Sequence, residues 1–215
     1  MADLQCDATK TVARIPFRNF LIFGTLVGAG TWLELWTKSI AFEKLGPPMD
    51  REIAWLIPDV FGFQTSLNFG ALFGMGQGLG WLFCLTSALA FGLILAWLFY
   101  WKNARSLFWT AILAVVSAGI FGNLFDRLGL YTPPEGFPAG GVRDWILVML
   151  GSYHWPNFNL ADTFLVVGAV LIFVVTLFSD PQKLGAKESP KSPESPKSPE
   201  SPESPESQKS AEESE

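Results

Sequence analysis

WPNFNLADTFLVVGAV, residues 155–170, decides the fold of this chain. After Asp162, sixteen residues up to Phe178 carry no charge. A run of that length and composition crosses a bilayer as a helix, because backbone in lipid must satisfy its own hydrogen bonds. An ionisable group held at membrane depth is costly and is rare unless it does something. A second carboxylate stands in a similar place. Asp144, in GGVRDWILVML (140–150), is followed by apolar residues without a break. Two carboxylates that meet beside a membrane are the minimum equipment for acid–base hydrolysis.

Working outward, three further stretches are long and apolar enough to span: roughly 19–38, 80–101 and 107–125, with 162–178 as the fourth. The first has no small-x-small cleavage site after it, so it reads as a retained span and not a signal peptide. Two long connections remain, about 39–79 and 126–161. The first contains IAWLIPDVFGFQTSLNF, a β-like stretch between Pro and Gly punctuation that predicts a small sheet. VRDWILVML (142–150) is short for a span and is expected to lie along or dip into the outer interface. The expected fold is an all-α membrane protein: four transmembrane helices, a small extracytoplasmic β-sheet, and an interfacial segment between spans three and four. Its parts are a cytoplasmic N-terminal segment (1–18), a four-span domain (19–178) and a tail (179–215).

The tail repeats Ser-Pro followed by Lys or Glu from Ser189 and has almost nothing apolar to bury, so a disordered cytoplasmic tail is expected. It also distorts the charge balance. Nine acidic and five basic residues lie from Ser179 onward, leaving eleven and ten in the body, nearly neutral within a net of −5. With 49% hydrophobic residues, 9 Trp and 19 Phe, the chain is too apolar for an ordinary soluble domain of this length. The absence of a basic patch argues against a nucleic-acid partner. Cys6 and Cys84 fall in segments that should lie far apart, so neither a disulfide nor a metal pair is expected.

Lysines and arginines orient the spans. Lys10, Arg14 and Arg18 precede span one, Lys102 and Arg105 sit between spans two and three, and Lys183 and Lys187 follow span four. These three sets share a side, which places both termini in the cytoplasm. Glu34, Asp126, Asp144 and Asp162 then all fall toward the outer face.

Each motif has a bland counterpart. In GNLFDR (122–127), Asn123, Asp126 and Arg127 read either as a capped helix end with a surface ion pair or as a site, since an amide in the last apolar turn needs partners. In FNLAD (158–162), Asp162 is well placed as an N-cap, where first-turn amides favour its anion. NFGALFGMGQGLG (68–80) lacks the Lys-Ser/Thr and the spacing of a phosphate loop, and close backbone packing is the expected use of its glycines. Gly24 and Gly28 likewise read as helix-packing positions. His154 has no second histidine beside it and reads as structural. No Ser-His-Asp set, Cys-His pair or metal-ligand cluster is present.

Together, ELWTK (34–38), NFGALF (68–73), GNLFDR, VRDWI (142–146) and WPNFNLAD (155–162) resemble lipoprotein signal peptidase, the signal peptidase II family, in its order and over residues 19–178. The resemblance implies a four-span aspartyl protease of the bacterial cytoplasmic membrane, with its active site toward the outer face. Such an enzyme removes the signal peptide of prolipoproteins just before a diacylglyceryl-modified cysteine. It implies Asp144 and Asp162 as the catalytic pair, with Glu34, Lys38, Asn68, Gly70, Asn123, Asp126, Arg127 and Asn159 binding substrate or supporting the site. It implies no metal or cofactor, prolipoproteins and membrane lipids as partners, and a monomer. Three features depart from the family pattern. Glu34 stands where aspartate is usual, GLYTPPEGFPAGG (129–141) looks like an insertion, and Arg143 replaces a usually apolar residue. The alternatives from other classes are a small transporter or channel using outer carboxylates for cations or protons, and a non-catalytic scaffold acting through its tail.

Overall fold

The computed structural model describes residues 14–48, 53–70 and 76–178. The expectations for Cys6 and the Ser-Pro tail lie outside the described residues. Among the described residues, four helices are long and apolar enough to cross a membrane: α1 (Phe17–Leu45), α2 (Gly80–Leu95, continued by a π-helical turn to Tyr100), α3 (Leu107–Arg127) and α4 (Leu160–Phe178). α1 is longer than expected. At 29 residues it measures about 44 Å against a hydrocarbon core of about 30 Å. Glu34 and Lys38 therefore lie inside the helix and not at its end. Pro16 precedes α1, and Gly46, at φ 78, ends it where a side chain would be strained.

α3 is the helix against which the other three pack. Small residues permit this. A Cβ on Gly30 of α1 would come within 2.7 Å of Ala118, and one on Gly119 within 2.7 Å of the Ala161 carbonyl of α4. Gly24 and Gly28, expected to pack helices, instead have nothing within 4 Å of a built Cβ. Their spacing is right, but they face away from the bundle. Of the glycines expected to serve close packing before α2, Gly76 does so, since a Cβ there would lie 3.2 Å from Phe83 Cζ, whereas Gly78 meets nothing within 4 Å; with φ of 70 and 85 the two also make a turn. At the opposite end from the long connections, buried Asn19 donates to the Ala104 (2.6 Å) and Arg105 (3.3 Å) carbonyls, tying the start of α1 to the α2–α3 loop.

The two long connections supply a single four-stranded antiparallel sheet, ordered β1 (Ala54–Ile57), β2 (Phe61–Asn68), β3 (Val142–Leu150), β4 (Tyr153–Phe158). The first pair is the sheet expected within 39–79. VRDWILVML joins it as β3, with Asp144 opposite Ser66 and Ile146 opposite both Phe63 and Phe158. The strand was hidden because most of it is covered on both faces, which erases the alternation that marks a half-buried strand. β4 leads directly into α4 through Asn159. That junction brings Asp162 beside the start of β3.

Candidate active site

The start of α4 is a capping box. The Asn159 side-chain Oδ1 accepts the Asp162 backbone N–H (2.9 Å), and the Asp162 Oδ2 accepts the Asn159 backbone N–H (3.2 Å). Contrary to the N-cap expected at Asp162, the cap is Asn159, and Asp162 sits three residues on, inside the first turn. The capping amide then does a second thing. Its Nδ2 donates to Asp144 Oδ1 at 2.6 Å and to Asn123 Oδ1 at 3.1 Å. Asn123 in turn donates from Nδ2 to Asp162 Oδ1 at 2.8 Å. The two aspartates, eighteen positions apart, are joined through one asparagine.

Their surroundings differ. Asp144 is 2% exposed, whereas Asp162 is half-buried. Burial first, and then the nearby charge of Asp162, push the Asp144 carboxyl well above the usual carboxylate range. Lys38 and hydrogen bonds from the Asn159 and Asn68 side chains pull the other way. Asp162 accepts two N–H groups, the arrangement that suits a carboxylate.

Behind this pair lies a fully buried ion cluster. Lys38 Nζ is 2.6 Å from Glu34 Oε1, 3.0 Å from Asp126 Oδ2 and 3.0 Å from Asn123 Oδ1, with Glu34, Lys38 and Asp126 all 0% exposed. Buried charges of this kind are tolerable only when each is paired. Gly122 makes room for it: a Cβ there would lie 2.5 Å from Glu34 Cγ. Asp126 does not form a surface ion pair. It takes Arg143 instead, through Nε (3.0 Å), Nη2 (2.8 Å) and the backbone N–H (3.0 Å). Arg127 reaches elsewhere, donating from Nη2 to the Gly70 carbonyl (2.6 Å) and stacking on Phe83. The Gly70 N–H is held by Asn68 Oδ1 at 3.0 Å. Each of the ten expected positions is therefore in this constellation or one contact from it.

Arg143 was the residue missed. Its sequence signal was a guanidinium where the family pattern has an apolar residue, directly before Asp144 in VRDWILVML. Tyr131, from the 129–141 connection, lies under it, with the guanidinium 4.4 Å from the ring centroid. The Tyr131 hydroxyl donates to the Gly141 carbonyl (2.8 Å), and burial raises that hydroxyl to about 12, so it stays a donor. His154 lies exposed on β4, apart from these groups. Among the described residues, no three His, Cys, Asp or Glu side chains are grouped as a metal site requires.

Fold and site together define a four-span membrane protein with a carboxylate pair at the mouth of its helices, beside a small sheet. Comparison with known proteins narrows this. The family model described as signal peptidase (SPase) II matches residues 26–178. The lipoprotein signal peptidase of Rhodopirellula baltica is 43% identical over 166 residues, covering 75% of this chain and 74% of that one. That of Rhodococcus jostii is 34% identical over 160 residues, covering 74% of each. A solved bacterial membrane enzyme shares the fold, with a TM-score of 0.61 at 22% identity over 82% of this chain and 96% of that one. The chain belongs to the signal peptidase II family and is a membrane-bound aspartic peptidase. The transporter and channel readings find no support in these matches.

Proposed function

We propose that Asp144 and Asp162 are the catalytic pair with which this peptidase removes signal peptides from prolipoproteins, cutting before a diacylglyceryl-modified cysteine. The observation that carries the assignment is the shared asparagine. Asn159 ties a buried carboxyl, pushed toward its protonated form, to a more exposed one that accepts two N–H bonds. In that division of labour Asp162 takes a proton from water, which attacks the scissile carbonyl. Asp144 donates to the carbonyl oxygen; as the tetrahedral intermediate collapses, Asp162 passes the proton it took from water to the leaving amine, and Asp144 recovers a proton from the intermediate's hydroxyl. Asn123, Asn159 and Asn68 hold the pair. Lys38, with Glu34 and Asp126, keeps a cation behind it, and Arg127 fixes Gly70 at its rim.

The setting follows from the span ends. Both termini lie in the cytoplasm, the sheet and the site lie toward the outer face of the bacterial inner membrane, and the enzyme works as a monomer. The substrate's acyl chains stay in the bilayer while its extended peptide reaches the pair from the side, where Asp162 is open. The test is incubation of the purified protein with a lipidated prolipoprotein, with and without Asp144→Asn. Cleavage by the wild type and none by the variant is expected. Normal cleavage by the variant would remove Asp144 from the mechanism.

A further inference from the structure

Arg143 precedes Asp144, and none of the chemistry above uses it. Its place in the sheet is unusual. β4 pairs with β3 only as far as Ile146 opposite Phe158, after which the chain turns into α4. Residues 142–145 of β3 are therefore flanked by β2 on one edge and, among the described residues, by no strand on the other. Arg143's own N–H goes to Asp126 Oδ2, and its guanidinium makes two bonds to Oδ1. A side chain at the end of α3 thus replaces the missing strand. Tyr131 backs the guanidinium and ties its connection to Gly141, two residues before Arg143.

The charges have the same logic. Lys38 alone stands between two carboxylates, Glu34 and Asp126. Arg143, only 6% exposed, supplies the second cation. The charged groups acting on Asp144 are Asp162 from α4, Lys38 from α1 and Arg127 from α3, and Glu34 and Asp126 bear on it through the Lys38 they hold. With Arg143 absent, Lys38 would be drawn to Asp126 and would oppose the charge on Asp162 less.

We propose that Arg143, locked by Tyr131, is a positioning residue for Asp144. It fixes the unpaired edge of β3 to Asp126 and so sets both the placement of the carboxyl and the charge around it. The proposal rests on the reading of Asp144 as catalytic.

The experiment compares Arg143→Met, Arg143→Lys, Tyr131→Phe and Asp144→Asn in the purified full chain, with turnover of a lipidated prolipoprotein expressed per folded molecule. Misplacing a catalytic group is costly, so Arg143→Met should lower kcat by about tenfold or more, with KM changed by less than about twofold. The alkaline limb of its kcat profile should move to higher pH. Arg143→Lys should return that limb toward its place, because the charge is restored, yet leave kcat low, because an ammonium lacks the planar fork. Tyr131→Phe should give a smaller loss in kcat. Unchanged kcat in both Arg143→Lys and Tyr131→Phe would overturn the proposal, even if Arg143→Met fails to accumulate. So would losses confined to KM. Inactive Asp144→Asn beside unaffected Arg143 variants would refute the positioning role alone, whereas active Asp144→Asn would refute the catalytic reading beneath it.

Discussion

Asn159 caps α4 with its oxygen and serves Asp144 with its nitrogen, so substitution can take the two roles apart. Asn159→Ser keeps an N-cap oxygen and loses the amide donor; Asn159→Ala loses both. A cap of this kind is worth about 1 kcal/mol, so Ala should unfold roughly 2–4 °C below Ser. The 2.6 Å bond from Nδ2 to Asp144 should be lost in both variants. A hydrogen bond to a charged group is worth about 1.5–3 kcal/mol, which corresponds to roughly a 10- to 150-fold loss in rate if it is made in the transition state. The two variants should therefore differ in stability and agree in turnover. Tryptophan fluorescence on heating reads the first quantity, and cleavage of a lipidated prolipoprotein per folded molecule reads the second. If Asn159→Ser turned over substrate at the wild-type rate, the amide would be a cap and nothing more, and the link between the two aspartates would carry no chemistry.

Three other expectations follow. Asp144 binds its proton more tightly in the folded chain than in the unfolded one, so its contribution to stability is full below the ordinary carboxylate range and is lost as pH rises to the raised value; turnover should fall over that same upper limb as the proton donor ionises, and a rate flat across it would contradict the assignment. Gly122→Ala should cost about 1–3 kcal/mol, because its Cβ would press into Glu34, whereas Gly28→Ala should cost nothing; equal melting temperatures would show that the α1–α3 contact is not close. Externally added thiol reagent should label Glu135→Cys and spare Ser201→Cys, and the opposite pattern would invert the orientation.

Much of this was legible in the sequence, for reasons that differ by element. The spans declared themselves by length, since only helices of about 20 apolar residues satisfy their backbone in lipid. Glu34 and Lys38 could be paired from their i,i+4 spacing, but their complete burial depends on Gly122 of α3, which spacing along α1 does not reveal. FNLAD contains both partners of the capping box, but asparagine and aspartate are about equally good N-caps, so residue type alone does not say which of them starts α4. β3 was obscured because a strand covered on both faces loses its alternation. The Arg143–Asp126 bond crosses 17 positions between a strand and a helix end, and no local pattern encodes it.

The most direct measurement is turnover by Asp162→Asn. Asparagine still offers an oxygen to the Asn159 backbone N–H, so the turn and the fold should persist and the variant should accumulate in the membrane. It cannot serve as a base. A catalytic pair therefore predicts a protein that binds lipidated prolipoprotein and releases no signal peptide. Near-normal release would contradict the pair and leave Asp162 as a structural residue at the start of α4.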